Sequence, residues 1–117
     1  MRSSLYAVIA VLLFGCATTP DPIDRIVAHL SADGGGGLWE NGLYKPIDLP
    51  SAASPDQVVK RAIEMQGMTI YKIAQIRQVR INPDIFTAAY VHTSNGNKVV
   101  LFKYEGRGWW SRVYASV

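Results

Sequence analysis

The side chains that could bind a metal ion are few and far apart in this sequence. His29 and His92 are the two histidines, and Cys16 is the single cysteine among 117 residues. A metal centre needs three or four converging ligands, which spacings such as H-x-x-x-H or H-x-E bring together. Neither spacing occurs here. We therefore expect no metal site and no cofactor, with both histidines satisfied in the fold or exposed at its surface.

Nucleophilic catalysis has equally little support. Ser94 and Ser111 are candidate nucleophiles, but neither lies in a G-x-S-x-G sequence, and Ser94 is expected in a turn. The nine acidic residues are spread singly along the chain. Asp56 and Glu64 are explained by a helix cap and an exposed helix face. We predict that the protein is not an enzyme.

Aromatic and arginine side chains concentrate near the C-terminal end, in YEGRGWWSRVY at 104–114. Exposed Trp, Tyr and Arg dominate the energetics of protein interfaces, and aromatic rings also stack sugars. The alternative is a core Trp and an edge Trp with a stacked arginine. On a hairpin we expect one shared face to hold Tyr104, Trp110, Arg112 and Tyr114. With Arg107 in the turn, the candidate interaction surface is Tyr104, Arg107, Trp110, Arg112 and Tyr114.

Length and composition indicate one ordinary globular domain. The chain is 49% hydrophobic and 18% charged, which suffices for a core. Its formal net charge is +3, and no basic run exceeds Lys60-Arg61. Such a small, scattered charge excludes an electrostatic nucleic-acid surface, so we expect no nucleic-acid partner.

Two helices are predicted from caps and apolar spacing. A short helix at about 22–30 starts at Asp21-Pro22 and ends before the glycine-rich linker 33–37. The main helix, at about 54–66, starts with an S-x-x-Q capping box at Ser54 and stops at Gly67. Each helix has one apolar face, so each must cover another element.

The sheet that these helices cover is predicted over about 69–115. Four alternating, β-branched segments are separated by Asn82-Pro83-Asp84, Asn95-Gly96 and EGRG, which favours an antiparallel meander. A further short strand is expected at Gly42–Lys45. Both faces of the meander carry apolar residues, so we expect the main helix on one face and residues 23–50 over the other. The fold class is α+β, an order of elements that resembles cystatin-like layouts.

The N-terminus has the features of a secretion signal. Arg2 precedes an uncharged apolar run, Leu5 to Phe14. About 20 apolar residues are needed to span a bilayer, so ten fit the hydrophobic region of a signal peptide instead. The alternative is a buried strand or a short core helix.

LFGC, Leu13 to Cys16, resembles the lipobox of bacterial lipoproteins. Leu13 stands at the branched apolar position and Gly15 at the small one, while Phe14 replaces a residue that is usually small. The resemblance implies cleavage before Cys16 and diacylglyceryl transfer to its sulfur, giving a membrane anchor. Ala17, where enteric lipoproteins retained in the inner membrane have Asp, favours the outer membrane facing the periplasm. The implied divisions are a signal peptide at 1–15, a tether at 16–21 and one domain at 22–117.

Three functions are compatible with these features. The first is a non-catalytic protein-binding or structural module of the cell envelope, with the membrane and another envelope protein as partners. The alternative is a periplasmic small-ligand binder with a cleft between helix and sheet, lined by Tyr90, Phe102 and Trp109. A hydrolase would need two polar groups converging in such a cleft.

Overall fold

The computed structural model describes residues 21–32 and 44–115. The predicted signal peptide with Leu13, Phe14 and Gly15, the predicted lipidation site Cys16, most of the predicted tether and the predicted linker 33–37 lie outside these ranges. The described elements, in chain order, are α1 (Pro22–Ala32), β1 (Lys45–Ile47), α2 (Pro55–Met65), β2 (Ile70–Ile81), β3 (Asp84–Thr93), β4 (Gly96–Glu105) and β5 (Gly108–Ala115).

The fold is α+β, as the sequence predicts, but the antiparallel sheet has five strands rather than four. Its order is β1-β5-β4-β3-β2, so β2 to β5 form the expected meander and β1 adds to its β5 edge. The structure has a short strand at Lys45–Ile47, which overlaps the predicted one at Lys45, while positions 42 and 43 lie outside the described residues. Its position is decided by pairing with β5, which local sequence does not reveal.

Both helices begin where the local chemistry predicts. The Ser54 hydroxyl accepts the Gln57 amide at 3.3 Å, while the Gln57 side chain accepts the Ser54 amide at 2.8 Å, which completes the capping box of α2. Gly67, with φ of +78°, follows the end of α2 in a conformation that favours glycine. At α1, an Asp21 carboxylate oxygen accepts the Asp24 amide at 2.8 Å.

The two helices cover opposite faces of the sheet. On the α2 face, Val58, Val59, Ala62 and Ile63 pack against the buried residues Ala89, Val91, Val100 and Phe102. On the α1 face, Ile23, Ile26 and Leu30 pack against Val79, Ile81, Phe86, Ala88, Val99 and Leu101. Full burial of one such aliphatic side chain contributes about 1.5–3 kcal/mol, so each helix is held mainly by its apolar stripe. This arrangement agrees with the expected alternation of strand faces.

Within the described residues, no helix combines the length and the apolar character needed to cross a bilayer.

Candidate functional site

The β4–β5 hairpin positions the aromatic segment. Its turn has two residues, Gly106 and Arg107, and the strands pair from Glu105 opposite Gly108. Gly106 has a φ of +71°, a left-handed conformation that side chains other than glycine rarely adopt. The turn therefore places Arg107 at the exposed tip of the hairpin.

This register corrects the predicted grouping of the aromatic residues. Tyr104 pairs with Trp109, and Lys103 pairs with Trp110. Paired residues share a face, so Tyr104 lies on the α2 face while Trp110, Arg112 and Tyr114 lie on the α1 face. A two-residue turn pairs an even-numbered position with an odd-numbered one. The predicted face contains even-numbered residues from both strands, so its assignment of Tyr104 is wrong.

A cleft of about 460 Å³ lies between β1 and the tip of the β4–β5 hairpin. We call it the hairpin cleft. Its lining residues are Pro46, Ile47, Asp48, Arg107, Gly108, Trp109 and Trp110.

The short strand β1 builds one wall of the hairpin cleft. Pro46 pairs with Trp110 and Ile47 with Trp109, after which the chain leaves the sheet at Asp48. Proline has no amide hydrogen and is confined to sheet edges, which suits this outermost position. Because consecutive strand residues point to opposite faces, one indole borders the cleft from each face of the sheet.

Both indoles are held in place by backbone carbonyl groups. Trp109 Nε1–H donates to the Pro50 oxygen at 2.9 Å, and Trp110 Nε1–H donates to the Glu105 oxygen at 3.3 Å. Trp109 also meets the Tyr104 ring edge-on, with centroids 5.3 Å apart. With their polar atoms bonded inside the fold, the indoles offer apolar ring surface to the cleft.

Arg112 and Tyr114 lie farther along β5 in a second cluster. The Arg112 guanidinium stacks over the Tyr114 ring at 4.6 Å from its centroid. Tyr44 stacks on Phe86 with centroids 5.6 Å apart. Burial raises the pKa of the Tyr44 hydroxyl well above its usual range, and the neighbouring Tyr114 adds to this rise. Burial likewise raises the pKa of Tyr114, against the opposing effect of Arg112.

Lys103, on the neighbouring strand β4, forms ion pairs with two carboxylates. Its ammonium lies 2.7 Å from a Glu105 carboxylate oxygen and 3.3 Å from an Asp84 oxygen. Burial opposes the charge of Lys103, but the bonds to Glu105 and Asp84 outweigh it and raise its pKa. The ammonium also lies 5.5 Å from the centre of the Phe86 ring. This lysine is held in a charged network rather than presented to a ligand.

The other residues considered for chemistry have structural positions. The Ser94 hydroxyl accepts the Thr69 amide at 2.9 Å, and Ser111 is buried in β5. The His92 ring lies 5.3 Å from that of Tyr90, while His29 is exposed on α1. Across the described residues, no three His, Cys, Asp or Glu side chains come together as metal ligands.

The helix–sheet cleft expected around Tyr90, Phe102 and Trp109 does not form from these residues. Tyr90 packs on the α1 face, whereas Phe102 and Trp109 belong to the α2 face. Phe102 is 1% exposed and fills the core beneath α2. Tyr90 pairs with Val99 on the α1 face, whereas Phe102 pairs with Thr87 on the α2 face, so the sheet itself lies between these two side chains.

Sequence reasoning placed Arg107 and Trp110 on a candidate surface and missed Asp48, Pro46 and Ile47. Only the run of apolar residues around Pro46 indicated that this segment contacts the sheet.

Comparison of the chain with protein-family models, with curated proteins and with solved structures finds no match. The functional argument therefore rests on the residues of the hairpin cleft and on the N-terminal sequence.

Proposed function

We propose that the protein is a lipid-anchored recognition module of the bacterial cell envelope, without catalytic activity. The anchor is diacylglyceryl on Cys16, in the outer membrane facing the periplasm. The LFGC sequence and the apolar run before it support this location. Two or more acyl chains hold a protein on a bilayer far better than one.

The recognition surface in this proposal is the hairpin cleft, and one observation carries it. Two indoles border an open volume of about 460 Å³ with Arg107 and Asp48 beside them. Tryptophan and arginine are the residues most enriched at the energetic centres of protein interfaces. Opposite charges at the cleft complement the donors and acceptors of a polypeptide segment, so the proposed ligand is a segment of another envelope protein.

The anchor is tested by mass spectrometry of the protein purified from membranes. We expect a mature chain that begins at Cys16 and carries acyl mass. Cys16→Ala should abolish the acyl mass, whereas Phe14→Ala, which restores a small residue at the off-pattern position, should retain it. Wild-type protein that is soluble and unmodified would refute the anchor.

The recognition surface is tested by site-specific crosslinking in cells. A photoreactive side chain at Arg107 should give a discrete adduct that disappears when Trp110→Ala is added. The matched control is Met65→Ala, an exposed apolar substitution on α2, which should leave the adduct intact. An adduct that survives Trp110→Ala would exclude the hairpin cleft as the contact surface.

Small-ligand binding is the second candidate, and the size of the hairpin cleft favours it. Ligand sites commonly enclose about 300–1,000 Å³. Titration of tryptophan fluorescence with periplasmic extract passed through a small-pore filter separates the candidates. Quenching that Trp110→Ala removes would favour a small ligand, and no change would favour a protein segment.

A further inference from the structure

The β2 edge of the sheet is basic along the length of its strand. All charged side chains of β2 are basic, namely Lys72, Arg77 and Arg80, and the strand contains no acid. Lys72 and Arg80 are exposed, and Tyr71 is the most exposed large hydrophobic side chain described, at 70%. We call Tyr71, Lys72 and Arg80 the β2 edge surface. Lys72 pairs with His92 on the α1 face and Arg80 with Ile85 on the α2 face, so the two charges flank the edge from opposite sides.

The N-terminal part of the described chain is fixed against this edge. An Arg77 guanidinium nitrogen lies 3.3 Å from an Asp21 carboxylate oxygen and also contacts the Asp24 carboxylate. Asp21 is at the same time the cap of α1. The point at which the chain joins the domain is therefore held beside β2 by charge as well as by helix packing.

The number of residues between Cys16 and Asp21 limits the distance between a lipid anchor on Cys16 and the start of the domain. Cys16 and Asp21 are five residues apart. Fully extended, five residues span about 17 Å. The opposite edge, at β1, lies four strand spacings from β2, or about 19 Å. A tether of this reach would keep Asp21, and with it the β2 side of the sheet, within about 17 Å of an anchor on Cys16.

We propose that the β2 edge surface contacts anionic lipid headgroups, so that the anchored domain displays the hairpin cleft away from the membrane. This inference rests on the proposed lipid on Cys16. Lysine and arginine near an anionic surface are attracted to its headgroups, and tyrosine concentrates at the membrane–water interface. Tyr71, Lys72 and Arg80 supply both features along one edge.

The orientation is tested with the lipidated protein on vesicles of phosphatidylethanolamine and phosphatidylglycerol that contain a doxyl-labelled lipid as quencher. Because Cys16 is the sole cysteine and is acylated, Tyr71→Cys and Arg107→Cys each provide one free thiol for an environment-sensitive fluorophore. Both positions are exposed, so the fold should tolerate the change. We expect several-fold stronger quenching at 71 than at 107. Equal quenching, or stronger quenching at 107, would overturn the proposal.

A charge substitution tests whether the basic residues create the contact. Lys72→Glu with Arg80→Glu should reduce quenching of a fluorophore at 71 to about the level at 107. Lys60→Glu with Arg61→Glu, an equal charge change on the exposed side of α2, should leave it unchanged. Equal effects of both pairs would overturn a specific role for this edge.

The acyl mass of Cys16 is measured on the same sample. Absence of the acyl group refutes the anchor and this surface with it. An acylated protein with no difference between 71 and 107 refutes the surface alone.

Discussion

The two faces of the sheet are stabilised by different chemistry. The buried cluster beneath α2 consists of aliphatic side chains and Phe102, and it contains no titratable group. On the α1 face, the cluster includes Tyr44, with Tyr90 and Tyr114 packed against it. Lys103 with its two carboxylates and Arg77 with Asp21 and Asp24 lie on the same side. We therefore expect the α2 face to be insensitive to pH and salt, and the α1 face to respond to both.

The hairpin cleft lies where these two faces meet. Trp109 packs with the α2-face cluster, while Trp110 packs with the α1-face cluster. Each indole is thus supported by a separate part of the core. A rigid platform of this kind costs little conformational entropy when it binds a partner.

The largest expected effect comes from the α2 face. Ile63→Ala should lower the free energy of unfolding by about 3 kcal/mol, because it leaves a cavity among fully buried neighbours. Met65→Ala is the matched control on the same helix, since Met65 is 48% exposed, and it should change stability little. Urea unfolding of both variants measures the difference. A loss below that of the control would mean that α2 does not cover the core.

An alkaline titration should distinguish the two faces next. The folded state raises the pKa of Tyr44 and Tyr114 above the ordinary value of 10.0, so above that pH the unfolded chain releases protons that the folded chain retains. Stability is therefore complete below about pH 10 and falls at higher pH, by at most about 1.4 kcal/mol per pH unit for each tyrosine while its folded form stays protonated. Lys103, whose folded pKa is also raised, acts in the same direction.

Tyr44→Phe with Tyr114→Phe should flatten this alkaline decline, measured as the urea midpoint at several pH values. Tyr71→Phe removes an exposed hydroxyl and should leave the decline as in the wild type. An unchanged slope in the double variant would show that these two tyrosines do not cause the alkaline decline.

The helix cap of α2 should have a moderate effect. Ser54→Ala removes the acceptor of the Gln57 amide and should cost about 1 kcal/mol. Ser51→Ala, at a nearby exposed position, is the control. The loss should be the same at low and high salt, because this cap involves no net charge. A strong salt dependence would contradict the contrast between the faces.

The smallest expected effect is that of the Arg77 contacts. These side chains are partly exposed, so Arg77→Gln should cost about 0.5 kcal/mol at low ionic strength and less at high salt. Arg80→Gln, on the same strand with its side chain exposed, should have no such salt dependence. Identical behaviour of the two variants would show that Arg77 does not fasten α1.

Local sequence was sufficient for most of the elements. The capping box at Ser54 depends on neighbouring residues and forms as predicted. A hairpin also forms close to the predicted Asn95-Gly96 turn, but Thr93 pairs with Gly96, so the two residues of the turn are Ser94 and Asn95. Alternation also assigned the faces of β3 and β4, because side chains of a strand alternate whatever lies beyond it. These features were predictable because their energetics are decided within a few residues.

Tertiary structure decided the rest. The three residues of β1, one of them Pro46, become a strand only because the edge of β5 is there to pair with them. The faces on which Tyr104 and Trp110 lie depend on the length of one turn, which shifts every pair along the hairpin. Asp48 and Arg107 meet at one cleft although they are distant in sequence, because the sheet order brings β1 beside β5. Sequence alone determined the local structure that repeats along helices and strands, and the lipobox resemblance at the N-terminus stays a prediction. Contacts between distant segments, which no local pattern encodes, created the hairpin cleft.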